Sequence, residues 1–225
     1  MGEQEQVEAY LALRFSRQEK RERLMGELLD GVHEAGKLMV EKRTRQTERA
    51  FVLTAAMALE GIFTILRQEI LEEIRINATV EPFTISETVL LQGRSFEIRQ
   101  NGKVKRKAAR IPLESHVRFT LHCLMKAYGL SAEQIDEDVS LKSIRSLTET
   151  RNRLVHAKTS DHLRISKEEF DSVRACVTWL RELVCTTKEA VVQLWGSINK
   201  TLHIPGKREL TFFEIADDMT DSDVI

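Results

Sequence analysis

Arg151, Asn152 and His156 carry the side chains that handling a phosphodiester calls for. Arginine makes a planar, bidentate grip on phosphate oxygens and keeps its charge at any cellular pH. Histidine titrates near neutrality, so it can take or give a proton there. Asn152 and His156 are four residues apart and share one helical face. Arg151 and His156 are five apart, which separates their directions by roughly 140° at ~3.6 residues per turn. They meet at one phosphate only if the helix ends near His156 or the arginine wraps round it. The polar run Ala157-Lys158-Thr159-Ser160-Asp161 suits such an end. The plain structural alternative is that Arg151 pairs with Glu149 or another acid, Asn152 caps the helix, and His156 is a satisfied boundary residue.

The apolar residues Leu141, Ile144, Leu147 and Leu154 recur mostly at threes and fours, which predicts a helix over about residues 139–157. Arg110 and His116 have a similar spacing without the amide or the helical setting. With Asn152 after the arginine, Leu154 and Val155 inside, and helical segments on both sides, the stretch resembles the HEPN superfamily motif. That motif is an arginine, usually followed by a polar residue, then four to six residues and a histidine. The resemblance extends over residues 43–200, where the order of helices also fits. It implies an all-α, HEPN-like bundle, and for many members a metal-independent endoribonuclease with no cofactor. By the match, Arg151 would orient phosphate, Asn152 would contact substrate or fix the site, and His156 would do the proton work. Arg153 and Lys158, flanking the motif, would hold neighbouring phosphates.

Cleaving RNA without a metal means activating the 2′-hydroxyl, stabilising charge on phosphorus and protonating the departing 5′-oxygen. Arginine can hold the oxyanionic phosphorus, and histidine serves as base or acid. One chain offers a single histidine at the motif, so two copies facing across a two-fold axis would supply both. A homodimer with a composite site is therefore expected, and the resemblance implies the same. It implies RNA as substrate, a 2′,3′-cyclic phosphate product, and a role in defence, toxin–antitoxin pairing or RNA processing. An inhibitory or antitoxin-like partner protein fits that setting. The alternative is a non-catalytic dimerisation or adaptor domain, since some HEPN domains keep part of the motif and only bind.

The 34 basic and 35 acidic residues nearly cancel, so any nucleic-acid binding must come from local patches. Cys123, Cys176 and Cys185 lie within apolar helical patterns and read as buried thiols in a reducing compartment. No cysteine or histidine spacing suggests a metal site. The amino terminus is polar and unlike a signal peptide, and the apolar run over residues 50–59 is broken by Glu60. These features lead to the expectation of a soluble cytoplasmic protein without membrane contact.

Three regions follow from the patterning. Residues 1–42 form a helical arm, with a thin stripe of Met25, Leu29, Val32, Gly36 and Met39 that packs either on the bundle or on a second subunit. Residues 43–204 form the bundle. Its first helix spans residues 41–76, with Phe51, Val52, Ala55, Leu59, Ile62, Phe63, Leu66 and Ile70 on a wide apolar face. Glu60 borders that face, either as a solvated edge residue or as an acidic partner for the site. A β insertion over about residues 83–110 begins at the β-rich Thr88-Val89-Leu90-Leu91. Asn101-Gly102 predicts a two-residue hairpin turn that sets Glu97 opposite Arg106. Lys103, Lys105, Arg106, Lys107 and Arg110 make this the most basic region, suited either to phosphate tracking or to blocking edge pairing. A helix then runs from Leu113 to Tyr128 with Gly129 as its stop, and Ser131 to Gln134 and Ser166 to Glu169 read as capping boxes. The last helix carries Phe170, Val173, Val177, Leu180, Val184, Val191, Leu194 and Ile198 along a seam. Residues 205–225 form an acidic tail, partly disordered by composition.

Overall fold

In the helix Arg45–Arg75, 13 of 31 residues are buried, among them Val52, Leu59, Ile62, Leu66 and Ile70. The computed structural model describes residues 3–75, 79–98, 103–109, 111–135 and 137–201; in residues 3–11, 137–140 and 197–201, and at 96, 98, 104, 106 and 135, the backbone alone is described. In chain order the elements are α1 (Glu3–Glu41), α2 (Arg45–Arg75), α3 (Ile85–Leu91), β1 (Arg94–Ile98), β2 (Val104–Ala108), α4 (Leu113–Tyr128), α5 (Ala132–Ile135), α6 (Glu137–Val155), a 3-10 turn (Asp161–Leu163) and α7 (Lys167–Thr201). The fold is all-α, with one two-stranded hairpin.

α2 packs against α1, α4, α6 and α7, so its apolar residues are covered from several directions. Each fully buried leucine, isoleucine or phenylalanine contributes about 1.5–3 kcal/mol. Between its exposed end residues Arg45 and Arg75, only the strip Gln46, Ala50, Met57, Glu60, Thr64 and Gln68 is exposed. Among the described helices α2 alone is long and apolar enough to cross a bilayer, but half of that stretch is buried inside the bundle. It starts at Arg45 rather than near residue 41, because Thr44 and Thr47 bond reciprocally through their backbone N–H groups and hydroxyls. That is a capping arrangement with threonine in place of the usual acid.

α1 lies along α2 and reaches α7, so the stripe of the amino-terminal region packs on the bundle: Met25, Val32 and Met39 are buried. Leu28 lies close over Gly61, where a Cβ would stand 2.8 Å from Leu28 Cδ1 and that side chain would have to turn aside. At the far end Arg14 sits 3.3 Å from the Trp195 ring centroid and pairs with the buried Glu73. Arg21 pairs with Glu72. Cation–π and ionic contacts of this kind fix the register of α1 on α2 and α7 more narrowly than its thin apolar stripe does.

Two expectations for the insertion are corrected. Residues 88–91 are helical, in α3, because Thr84 and Glu87 form a reciprocal capping box ahead of them. A local cap outweighs the modest β preference of threonine and valine. The hairpin register sets Glu97 opposite Lys105 and Ile98 opposite Val104, so residues 99–103 connect the strands instead of a two-residue turn. The observed pairing keeps apolar positions 96, 98 and 104 in phase, whereas Glu97 opposite Arg106 would place 104 out of phase with the other two. Glu97 then reaches the diagonal Lys107 at 2.5 Å. The Asn101-Gly102 turn itself lies outside the described residues.

Gly129 closes α4 at φ +69°, and both anticipated capping boxes are present at Ser131 and Ser166. In α7 the buried ridge is Val173, Cys176, Trp179, Leu180, Leu183, Thr187, Ala190, Val191 and Trp195; Val177, Val184 and Leu194 flank it. Cys123 and Cys176 are buried, and burial pushes both thiols up to about 12. Cys185, by contrast, is exposed: it lies past the flank of the ridge that Leu183 occupies.

Glu69, one turn before Glu73, is almost wholly enclosed, and burial first, then Glu73, pushes its carboxyl to about 7 against the pull of Arg21 and Arg14. A carboxyl whose folded value lies above its ordinary 4.5 favours the folded state fully below that value. The benefit is lost as pH rises through 7. Glu69→Gln should therefore flatten this part of the pH–stability profile and exceed the wild type by up to about 3 kcal/mol at pH 8. Urea midpoints between pH 4 and 8 test this, and parallel profiles would contradict it.

Candidate functional site

A cleft of about 300 Å³ opens where the exposed strip of α2 meets the start of α4 and the end of α6. Ala56, Leu59 and Glu60 line it from α2, Pro112 and Leu113 from the α4 entry, and Leu147, Thr148, Arg151 and Asn152 from α6. The buried Leu147 and Leu154 hold the last turns of α6 on the bundle, which turns 148, 151 and 152 toward this opening. Glu114 fixes α4 to α6 through Arg145, with bonds of 3.0 and 2.7 Å.

Within the cleft Arg151 Nη1 donates to Asn152 Oδ1 at 2.9 Å, and Arg151 Nη2 stands 3.7 Å from Glu60 Oε1. The guanidinium is thus restrained by an amide and an acid, yet it remains about one-third exposed. Glu60, whose place at the edge of the apolar face suits a solvated residue or an acidic partner of the site, is the acid beside the arginine. Its proximity to Arg151 spans 91 positions of chain and has no local signal in either segment.

His156 is on the turn directly after α6, and its backbone N–H still bonds Asn152 O at 3.0 Å. The helix ends at Val155, as the Arg151–His156 spacing requires. The imidazole is exposed and is not part of the cleft wall. Arg151 and Asn152 therefore share the cleft, while His156 stands on the adjoining surface. Next to them Val155 and Met57 are large apolar side chains more than half exposed, each within one helical turn of a cleft residue.

The flanking cations differ in role. Arg153 is committed inside the chain: its Nη1 donates to the carbonyls of His162 and Arg164, at 2.7 and 2.5 Å, and its Nη2 reaches Glu169 Oε1 at 2.6 Å. Thr150 adds a bond to the same Glu169 oxygen, and Arg49 donates to Leu163 O. Arg153 thus ties the connection after the motif to the head of α7, which removes it as a phosphate ligand. Sequence spacing could not reveal this, because its partners are mainly backbone carbonyls. Lys158 is exposed, and its backbone N–H donates to His162 Nδ1. On the hairpin Lys103, Lys105 and Lys107 are exposed; the Arg106 side chain and Arg110 lie outside the description. Among the described residues no group of three His, Cys, Asp or Glu side chains is placed to hold a metal ion.

Comparison of the chain with protein-family models, curated proteins and solved structures finds no match. The HEPN resemblance therefore rests on the motif and on the order of helices.

Truncating Arg153 would leave two carbonyls and a carboxylate without their charged donor. Arg153→Ala should cost about 2–3 kcal/mol, seen as a lower urea midpoint, with faster amide exchange over residues 156–166. Unchanged stability would show that the three bonds are not maintained in solution.

Proposed function

We propose that the chain is a metal-independent endoribonuclease of HEPN type, acting as a homodimer. The observation that supports this best is an arginine restrained at the mouth of a surface cleft, one turn before a helix end that carries a solvent-facing histidine. Arg151 would grip the scissile phosphate, with Asn152 holding one arm of the guanidinium in place and Glu60 yielding to the incoming anion. One His156 would take the 2′-hydroxyl proton as that oxygen attacks phosphorus. His156 of the second copy would give a proton to the 5′-oxygen as the P–O5′ bond breaks, leaving a 2′,3′-cyclic phosphate. The exposed Met57 and Val155 beside the cleft favour a two-fold contact on this face. Lys158, with Lys103, Lys105, Arg106, Lys107 and Arg110 of the insertion, would follow flanking phosphates in proportion to local charge and with strong salt dependence. A cytoplasmic setting and an antitoxin-like inhibitor belong to the same reading.

The second reading is a non-catalytic adaptor, favoured by the contacts Arg151 already makes to Asn152 and Glu60. The two separate in one assay. Under the ribonuclease reading, purified protein in chelator cleaves RNA and not DNA. His156→Ala and Arg151→Ala each lower kcat by about a hundredfold or more while circular dichroism is unchanged. Wild-type activity that survives both substitutions, or equal cleavage of DNA, would overturn it. A wild-type dimer without any cleavage would leave the adaptor reading.

A further inference from the structure

A second concavity, about 490 Å³, runs between α1 and α7. It lies on a different side of α2 from the catalytic candidate: Phe51 enters this groove and Ala56 the cleft, five residues and roughly 140° apart. Its floor is apolar, with Val32, Met39 and Phe51 buried beneath it and Phe170 5.5 Å from Phe51, ring to ring. Its rim is basic: Lys37 from α1 and Arg174 and Arg181 from α7, with His33 beside them and Glu41 the single acid. None of these three cations forms an ion pair with a described residue, although most of the other described arginines do. An aromatic floor under unneutralised cations suits an acidic segment bearing aromatic side chains.

Such a segment follows α7. Residues 202–225 lie outside the described structure, and from Glu209 to Asp223 they contain six acids and no basic residue. Leu210, Phe212, Phe213 and Ile215 precede most of those acids. The reach is sufficient. Arg181 is 20 residues before Thr201, about 30 Å along a helix at ~1.5 Å per residue. The 11 residues from Thr201 to Phe212 extend to about 37 Å. Phe212 and Phe213 can therefore reach the Arg181 end, and the acids beyond them Arg174 and Lys37.

We propose that the α1–α7 groove is the docking site of this chain's own acidic carboxy-terminal segment, with phenylalanines on the apolar floor and carboxylates on the basic rim. The assignment is independent of the ribonuclease reading. The full-length protein with a photo-crosslinking phenylalanine analogue at position 212 tests it, with adducts mapped by mass spectrometry. Cross-links are expected in residues 29–41 and 170–181. They should fall about tenfold in the variant Lys37→Glu, Arg174→Glu, Arg181→Glu, as loss of several exposed charge pairs implies, and should weaken with added salt. All three side chains are exposed, and circular dichroism checks that the variant is folded. Adducts elsewhere, or a yield indifferent to the charge reversal, would overturn the proposal. In a mixture of isotopically heavy and light protein, cross-links that join a heavy to a light chain would overturn it in favour of a second copy's segment, because an adduct within one chain never carries both labels.

Discussion

The burial of α2 is the constraint on which the arrangement depends. A helix with apolar residues around most of its circumference must be covered by several partners, and α1, α4, α6 and α7 each take part. What is left uncovered is a strip only one residue wide per turn. Along that strip, α4 begins and α6 ends, and two helix termini leave space that two helix middles would fill. The cleft with Arg151 is therefore a consequence of packing geometry: the chain places its polar kit where coverage of α2 gives out.

The opposite end of α2 solves a different problem. The α1 stripe is too thin to hold a 39-residue helix by apolar burial alone. Arg14 lying on Trp195 and pairing with Glu73 adds directional contacts there. Breaking such a pair by removing one partner is costly, typically about 3–5 kcal/mol, because the remaining charge is stranded. Making it gains much less. The cluster is best understood as selecting one register for α1, with Glu69 and Tyr128 enclosed beside it as the tolerated expense. Burial, aided by Glu69 and Glu73, also holds the Tyr128 hydroxyl well above its ordinary range.

Much of this was legible in the sequence, and the misses have physical causes. Helices α2, α4, α6 and α7 announce themselves through apolar spacing, and the stop at Gly129 and the starts at Ser131 and Ser166 through local chemistry that needs no tertiary context. The cap at Thr84 is equally local but stands before a β-branched run, so propensity obscured it. The hairpin register turned on whether the turn residues or the phase of Phe96, Ile98 and Val104 governs pairing, and phase governed. Arg153 shows a different limit. Arginine, asparagine, arginine in succession reads as a cationic patch, but the carbonyls that capture the second arginine belong to a connection whose path only folding defines. The meeting of Glu60 with Arg151 is a long-range fact of the same kind.

That meeting bears on whether the cleft is occupied by its own acid or available to a substrate. At 3.7 Å, with both groups a third or more exposed, the attraction is about 1 kcal/mol in water before screening, and surface pairs of this sort net about 0–1 kcal/mol. No hydrogen bond closes the pair; the bond Arg151 does make is to the neighbouring amide, at 2.9 Å. A phosphodiester offers two oxygens in the geometry of the guanidinium fork, and charge-assisted bidentate bonds are stronger than a single loose ion pair. Glu60 therefore restrains the arginine without sealing it. An acid at this distance keeps the guanidinium directed across the cleft in the free protein and gives way at little cost to an anion that binds both arms. If Glu60 had instead formed a buried bidentate pair, Arg151 would have been structural, like Arg153.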